Sequence, residues 1–260
     1  MGVLTGKTVV VTRAMDQSGP FAGMLEGEGA RVIEFPTIKT IPTADPAALD
    51  ACIDVLDSFD YVIFTSVNAL VFFLERLREK GGDIGRLSKA GLIAVGPKTA
   101  REMEVRGLKP SIVPAEFKAE GVLEALDKED LQGKRFFYPR AEVAREVLPD
   151  ELRRRGAEVM VAAAYSTVVP EADPEVIDGL LSGGISAVTF TSSSTVKNFV
   201  EMLGGKAVDC LRGVCVACIG PVTAQTCREL GIAVSVMPDE YTVDALFLSL
   251  KDYFTKEKRQ

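Results

Sequence analysis

A chain of 260 residues suggests one large domain or two small ones, at about 100–200 residues per domain. With 47% hydrophobic and 26% charged residues it can bury a real core, which excludes wholesale disorder. A net charge of −7 without a long Lys/Arg cluster argues against a nucleic-acid partner, and no apolar run reaches the ~18 residues of a membrane helix.

In chain order, Thr8–Thr12 reads as a buried parallel strand, a β-branched run that is apolar between its threonines. Helical spacing follows over Phe21–Gly29, with Phe21, Met24 and Leu25 on one face and a glycine at the end. Arg31–Phe35 and Tyr61–Phe64 are the next strands, and Ala69–Lys80 is a helix stopped by Gly81-Gly82. Leu92–Val95 is a fourth strand, Thr99–Arg106 a helix ending at Gly107, Ser111–Val113 a short fifth strand, and Gly121–Leu126 opens a helix. The order then repeats with strands at Arg135–Tyr138, Val159–Ala163, Ala187–Phe190, Val214–Ile219 and Ala233–Val236. The basic stretch Lys251–Arg259 reads as a solvated helix end, and Met1–Val11 lacks the ordered regions of a signal peptide, so a cytoplasmic protein is expected.

The second half of the chain is a copy of the first. Gly6-Lys-Thr-Val-Val-Val-Thr-Arg-Ala14 resembles Gly133-Lys-Arg-Phe-Phe-Tyr-Pro-Arg-Ala141, and Glu28-Gly-Ala-Arg-Val-Ile33 matches Arg155-Gly-Ala-Glu-Val-Met160 at the same 127-residue offset. Ile41–Pro46 matches Val169–Pro174, Tyr61–Ser66 matches Ala187–Ser192, and Ala94–Ala100 matches Cys218–Ala224 with only small drifts in register. Strands alternating with helices in each copy imply parallel sheets covered on both faces. The proline-bounded stretches Pro42–Pro46 and Pro170–Pro174 read as linkers, and both follow the second strand of their copy. Their positions favour a crossed arrangement, in which residues 1–38 and 172–260 form one domain, 45–166 the other, and 39–44 and 167–171 join them. A tandem arrangement would divide instead near Leu131.

The chain has no histidine, which removes Ser-His-Asp and Cys-His catalysis and histidine-ligated metals. Its five cysteines are an odd set for a disulfide framework. Cys215 and Cys218 form a CxxC inside an apolar strand, where i and i+3 point to opposite faces, so they read as core residues. There is no GxGxxG and no phosphate-binding P-loop, so a nucleotide cofactor has no support, and carboxylates such as Asp60 and Glu120 are too scattered for an acid pair.

Ligands of parallel α/β sheets bind beyond the carboxyl ends of the strands. There the chain places Phe64-Thr-Ser-Val-Asn68, with Thr65, Ser66 and Asn68, and Phe190-Thr-Ser-Ser-Ser-Thr195, with Ser192, Ser193 and Ser194. It also places Gly96-Pro-Lys-Thr99 and Gly220-Pro-Val-Thr223, in which the glycine turns the chain and the threonine is expected to cap the next helix. Each motif alone is an ordinary helix cap; four of them, paired across two copies, favour anion binding at helix N-termini. Thr12 and Arg13 end the first strand, Arg140 ends its counterpart, and the two arginines are expected to face one crevice. Tyr165, just before the second linker, is either a core tyrosine or a cleft phenol.

Taken in order, Thr12-Arg13, Tyr61–Ser66, Val95–Ala100, Tyr165-Ser-Thr-Val168 and Ile219–Ala224 resemble the uroporphyrinogen-III synthase family through nearly the whole chain. The resemblance implies an α/β protein of two flavodoxin-like parallel-sheet domains with a crossed, discontinuous topology and a two-segment linker. It implies cyclisation of the small molecule hydroxymethylbilane to uroporphyrinogen III in an inter-domain cleft, with ring D inverted and water lost, by a monomer that uses no cofactor and no metal. Tyr165 becomes the proton donor to the leaving hydroxyl. Thr99, Thr223, Ser66 and Ser192 become carboxylate contacts, and Asn68 stands where many relatives carry a basic residue. The substrate has eight carboxylates, which suits an acidic enzyme that binds with helix N-termini. The alternatives are a non-catalytic two-lobed small-molecule sensor and a sugar-phosphate or nucleotide-binding enzyme.

Overall fold

A computed structural model of the protein describes residues 2–257, the side chain of Asp16 apart; Met1 and the Lys258-Arg259 end of the basic tail lie outside the described residues. The chain divides into two compact units, Met1–Lys39 with Val168–Gln260, and Thr40–Thr167.

The first unit opens with β1 (Thr8–Val11), α1 (Met15–Gly27) and β2 (Arg31–Glu34). The second holds β3 (Lys39–Pro42), α2 (Ala47–Asp54), β4 (Tyr61–Phe64), α3 (Val67–Glu79), β5 (Gly91–Ala94), α4 (Pro97–Val105), α5 (Ala119–Ala125), β6 (Arg135–Ala141), α6 (Val147–Arg154) and β7 (Glu158–Val168). The chain then completes the first unit with α7 (Pro174–Leu181), β8 (Ala187–Phe190), α8 (Ser193–Leu203), α9 (Ala207–Cys210), β9 (Cys215–Cys218), α10 (Pro221–Glu229) and α11 (Val243–Glu257).

In the first unit the strand order is β2-β1-β8-β9, and every pairing is parallel. Val236 adds a single parallel bridge to Ala217 at the β9 edge. In the second unit the order is β3-β7-β6-β4-β5, with Ile112 bridged to Ile93 beyond β5. Under the sequence repeat β6, β7, β4 and β5 correspond to β1, β2, β8 and β9, so both sheets run 2-1-3-4 in repeat order. This is the flavodoxin-like order of doubly wound folds.

Strand alternation explains the two cores of each sheet. Val10 packs on one face with Phe35, Phe190 and Phe199, while Val9 and Val11 pack on the other with Phe21, Leu25 and Leu250. In the second unit Val62 and Phe64 face Phe73, Leu74 and Phe137, whereas Ile63 faces Val122, Phe136 and Leu152. Cys215 and Cys218 obey the same rule, one on each face of β9 and both buried. Burial pushes the Cys215 thiol up to about 12, so it is a packing residue rather than a nucleophile.

Several expectations need correction. Helix α1 begins at Met15 rather than Phe21 and keeps Pro20 within it. The short fifth strands reduce to single bridges. The stretch 39–44, read as a linker, contains β3, which is hydrogen-bonded beside β7, and β7 itself runs on to Val168. Pro42 is accommodated because proline is tolerated on an edge strand, which β3 is. The basic tail is not simply solvated, since Lys251 Nζ lies 2.5 Å from Glu28 Oε1. Among the described residues no helix is long and apolar enough to cross a membrane.

Candidate active site

In the second unit the chain leaves β4 through Thr65 and Ser66. Ser66 is the N-cap of α3 and accepts the Ala69 N–H at 3.1 Å. Its Oγ also lies 3.3 Å from the Tyr165 hydroxyl. The Tyr165 ring stacks on Phe72 of α3, with centroids 5.5 Å apart and planes 16° from parallel.

A register shift brings Tyr165 there. Arg140 pairs with Ala163, but Ala141 pairs with Tyr165, so Ala164 is an extra residue in β7. Val159 and Val161 face the α5–α6 side of the sheet, and simple alternation would send Tyr165 the same way. The bulge turns it instead toward the α3 side, where Ala164 also packs.

A cavity of about 340 Å³ opens at the same end of this sheet, lined among others by Thr65, Phe117, Lys118, Tyr138, Arg145 and Leu148. The Thr65 and Tyr138 hydroxyls are 3.4 Å apart on its wall. Arg140 is 9% exposed and committed: its guanidinium pairs with the Glu146 carboxylate, donates to the Arg145 carbonyl at 3.0 Å and lies over the Tyr138 ring. Arg140, expected to face the substrate, is thus held by partners of its own loop. It fastens the loop after β6, and Arg145 on that loop reaches the cavity. Lys118 pairs with Glu116 at 2.7 Å, and that hydrogen bond holds its ammonium pKa above the ordinary lysine value.

Asn68 is half-buried in the first turn of α3. The next helix, α4, is capped by Gly96 rather than by Thr99. Pro97 is the first helical residue, where its fixed φ suits a helix start, so Thr99 falls in the third position and is buried. Gly96 has φ +98°, which favours glycine.

The first unit repeats the plan with differences. Ser192 caps α8 in a reciprocal capping box with Thr195, and Ser194 Oγ lies 2.9 Å from Ser192 Oγ. Ser193 Oγ donates to the Val222 carbonyl and accepts from Thr226, which ties α8 to α10. Gly220 caps α10 with extended backbone, and Thr223 is buried in the third position, so the capping expected of Thr223 is also corrected. Thr12 is wholly buried and donates to the Thr189 carbonyl at 2.8 Å. Arg13 is half-buried and reaches the Gln17 carbonyl and side chain. Replacing Ser192 with Ala should cost about 1 kcal/mol by urea unfolding, because the capping box loses its acceptor.

Sequence reading missed the cavity residues Phe117, Lys118, Tyr138 and Arg145. One signal was available. Val113-Pro-Ala-Glu-Phe117 and Met237-Pro-Asp-Glu-Tyr241 lie 124 residues apart, the offset that also relates Gly96 to Gly220. Among the described residues no group of three or more His, Cys, Asp or Glu side chains could hold a metal.

The chain matches the family model described as uroporphyrinogen-III synthase HemD over residues 19–247. It is 38% identical to a putative uroporphyrinogen-III synthase of Methanothermobacter thermautotrophicus, covering 93% of this chain and 96% of the relative. It is 36% identical to the uroporphyrinogen-III synthase of Synechococcus elongatus, covering 96% of each. Its fold is similar to that of the Helicobacter pylori uroporphyrinogen-III synthetase, with a TM-score of 0.63 at 20% identity over 94% of this chain and 98% of that one. A mutant Thermus thermophilus uroporphyrinogen III synthase gives 0.60 at 22% identity, covering 96% of this chain and 99% of that one. With the repeat, the two flavodoxin-like sheets and the strand-end serines and glycines in place, these matches settle the family: the chain belongs to the uroporphyrinogen-III synthases.

Proposed function

We propose that the chain acts on hydroxymethylbilane, closing it to uroporphyrinogen III with ring D inverted and one water released. It is a cyclising lyase of tetrapyrrole biosynthesis. The observation that carries the reading is the family match across residues 19–247. The sensor alternative gains no support, because the relatives named above are synthases matched over 96% of their length.

The chemistry asks little of the protein beyond geometry and a proton. Protonation of the substrate's terminal hydroxyl releases water and leaves an azafulvene-like cation on ring A. Ring D attacks through its substituted α carbon to form a spiro intermediate. The bond from that carbon to the ring C methylene breaks, and ring D closes again through its free α carbon. That carbon then loses its hydrogen as a proton, which balances the proton spent on the hydroxyl.

Tyr165 is the proton donor in this reading. Its phenol is half-buried, held against Phe72 and within reach of Ser66. The helix starts at Ser66, Gly96, Ser192 and Gly220 offer backbone N–H groups to the substrate carboxylates. Thr99 and Thr223 support this role. They are 4% exposed and, among the described residues, neither hydroxyl has a hydrogen-bond partner. One chain carries both repeats, and the reading takes it as a monomer with a small-molecule substrate.

The test is a coupled assay. Freshly made hydroxymethylbilane is mixed with the protein, the products are oxidised, and the porphyrin isomers are separated. Type III far above the spontaneous type I background is expected; only type I from folded protein would refute the proposal.

A further inference from the structure

Phe117 and Tyr241 stand just ahead of α5 and α11, and each ring lies against the glycine that starts another helix. A β-carbon placed on Gly96 would sit 3.7 Å from the Phe117 ring, and one on Gly220 would sit 3.2 Å from the Tyr241 ring. The two aromatics are related by the same 124-residue offset as the two glycines. Both are 61% exposed.

A packing role accounts for this poorly. A hydrophobic residue just before a helix cap often serves as a staple against the first turn, but a staple hides its ring, and these rings are mostly open to solvent. Burial of that much aromatic surface contributes strongly to binding, so exposed aromatics at a ligand-binding strand end are suited to contact. Phe117 also lines the 340 Å³ cavity of its unit, beside Lys118 and Arg145. The setting is therefore an aromatic face beside cationic groups and above a helix start that holds Thr99, a buried residue whose hydroxyl makes no hydrogen bond among the described residues. The first unit repeats the ring, the glycine and the buried threonine with Tyr241, Gly220 and Thr223.

We infer that Phe117 and Tyr241 are substrate-binding residues, each offering its face to one pyrrole ring of the linear tetrapyrrole while that ring's carboxylates reach the helix start below. The inference rests on the proposed synthase function and adds the ring contacts to it. A pyrrole is a flat, electron-rich ring with two acidic side chains, which matches an aromatic face set beside N–H donors.

The experiment is steady-state kinetics with hydroxymethylbilane, scored by the type III isomer. Phe117→Ala and Tyr241→Ala should each raise KM about tenfold, the upper range of one aromatic contact, and change kcat less than about threefold. Phe117→Tyr and Tyr241→Phe should keep the wild-type KM. Phe117→Leu and Tyr241→Leu should behave like the alanine variants, because the ring and not apolar bulk is required; they also decide the matter if an alanine variant fails to fold. Val105→Ala, at an exposed apolar position outside the site, should leave KM unchanged. An active wild type whose alanine or leucine variants stay within about twofold in KM overturns this inference alone. A wild type that makes only type I overturns the synthase reading and this inference with it.

Discussion

Tyr165→Phe is expected to lower kcat for type III formation about 100-fold while leaving KM within about twofold. The loss sits at the low end of what a removed general acid costs, because the substrate ionises readily and most of the catalysis lies in holding one geometry. The substitution keeps the ring stacked on Phe72 and leaves Ser66 free to cap α3, so the melting temperature should not move appreciably. Release of the hydroxyl, rather than folding or binding, is then the step affected. Unchanged turnover would remove Tyr165 from the mechanism. Complete loss of activity in a folded variant would show that the phenol is obligatory and that the binding-dominated account is wrong.

Phe137→Ala should be the most damaging substitution for stability, costing about 3–5 kcal/mol. Phe137 on β6 is fully buried and touches two more rings, Phe59 at 5.3 Å and Phe73 at 5.7 Å between centroids. Removing it opens a cavity between β6 and α3 that rigid neighbours cannot fill. Since total stability of a domain is about 5–15 kcal/mol, this is a large share of the margin of the second unit. Hydrogen exchange checks this locally: amides of β4, β5 and β6 should lose protection while those of β1, β8 and β9 keep theirs. Equal loss in both units would mean that they unfold as one cooperative body.

Much of this fold was legible because it depends on short-range patterns. Buried parallel strands need apolar β-branched runs, and Thr8–Val11, Tyr61–Phe64 and Ala187–Phe190 are such runs, read almost to the residue. Elements with weaker local signals were misread. Helix α1 shows apolar spacing only from Phe21 although it begins at Met15, and the pairing of β3 with β7 is invisible in its own four residues. The helix caps show the same split. Ser66 and Ser192 cap as their positions imply, but Thr99 and Thr223 yield the cap to the glycines three residues earlier, since proline starts the helix one residue later.

The sequence by itself determined the family, the duplicated α/β plan and the strand ends where ligand-binding groups gather, because repeats, periodicity and turn residues are written in the order of the chain. Only the tertiary structure decided which of those groups are available. Thr12 is spent on the Thr189 carbonyl and Arg140 on Glu146, partners that are remote in sequence or set by loop conformation. One extra residue at Ala164 decides the face on which Tyr165 lies, and Phe117 and Tyr241 meet Gly96 and Gly220 only through folding. Alternation assigns a side chain to one of two faces, but a bulge reverses that assignment, and a bulge is visible only once the neighbouring strand fixes the register.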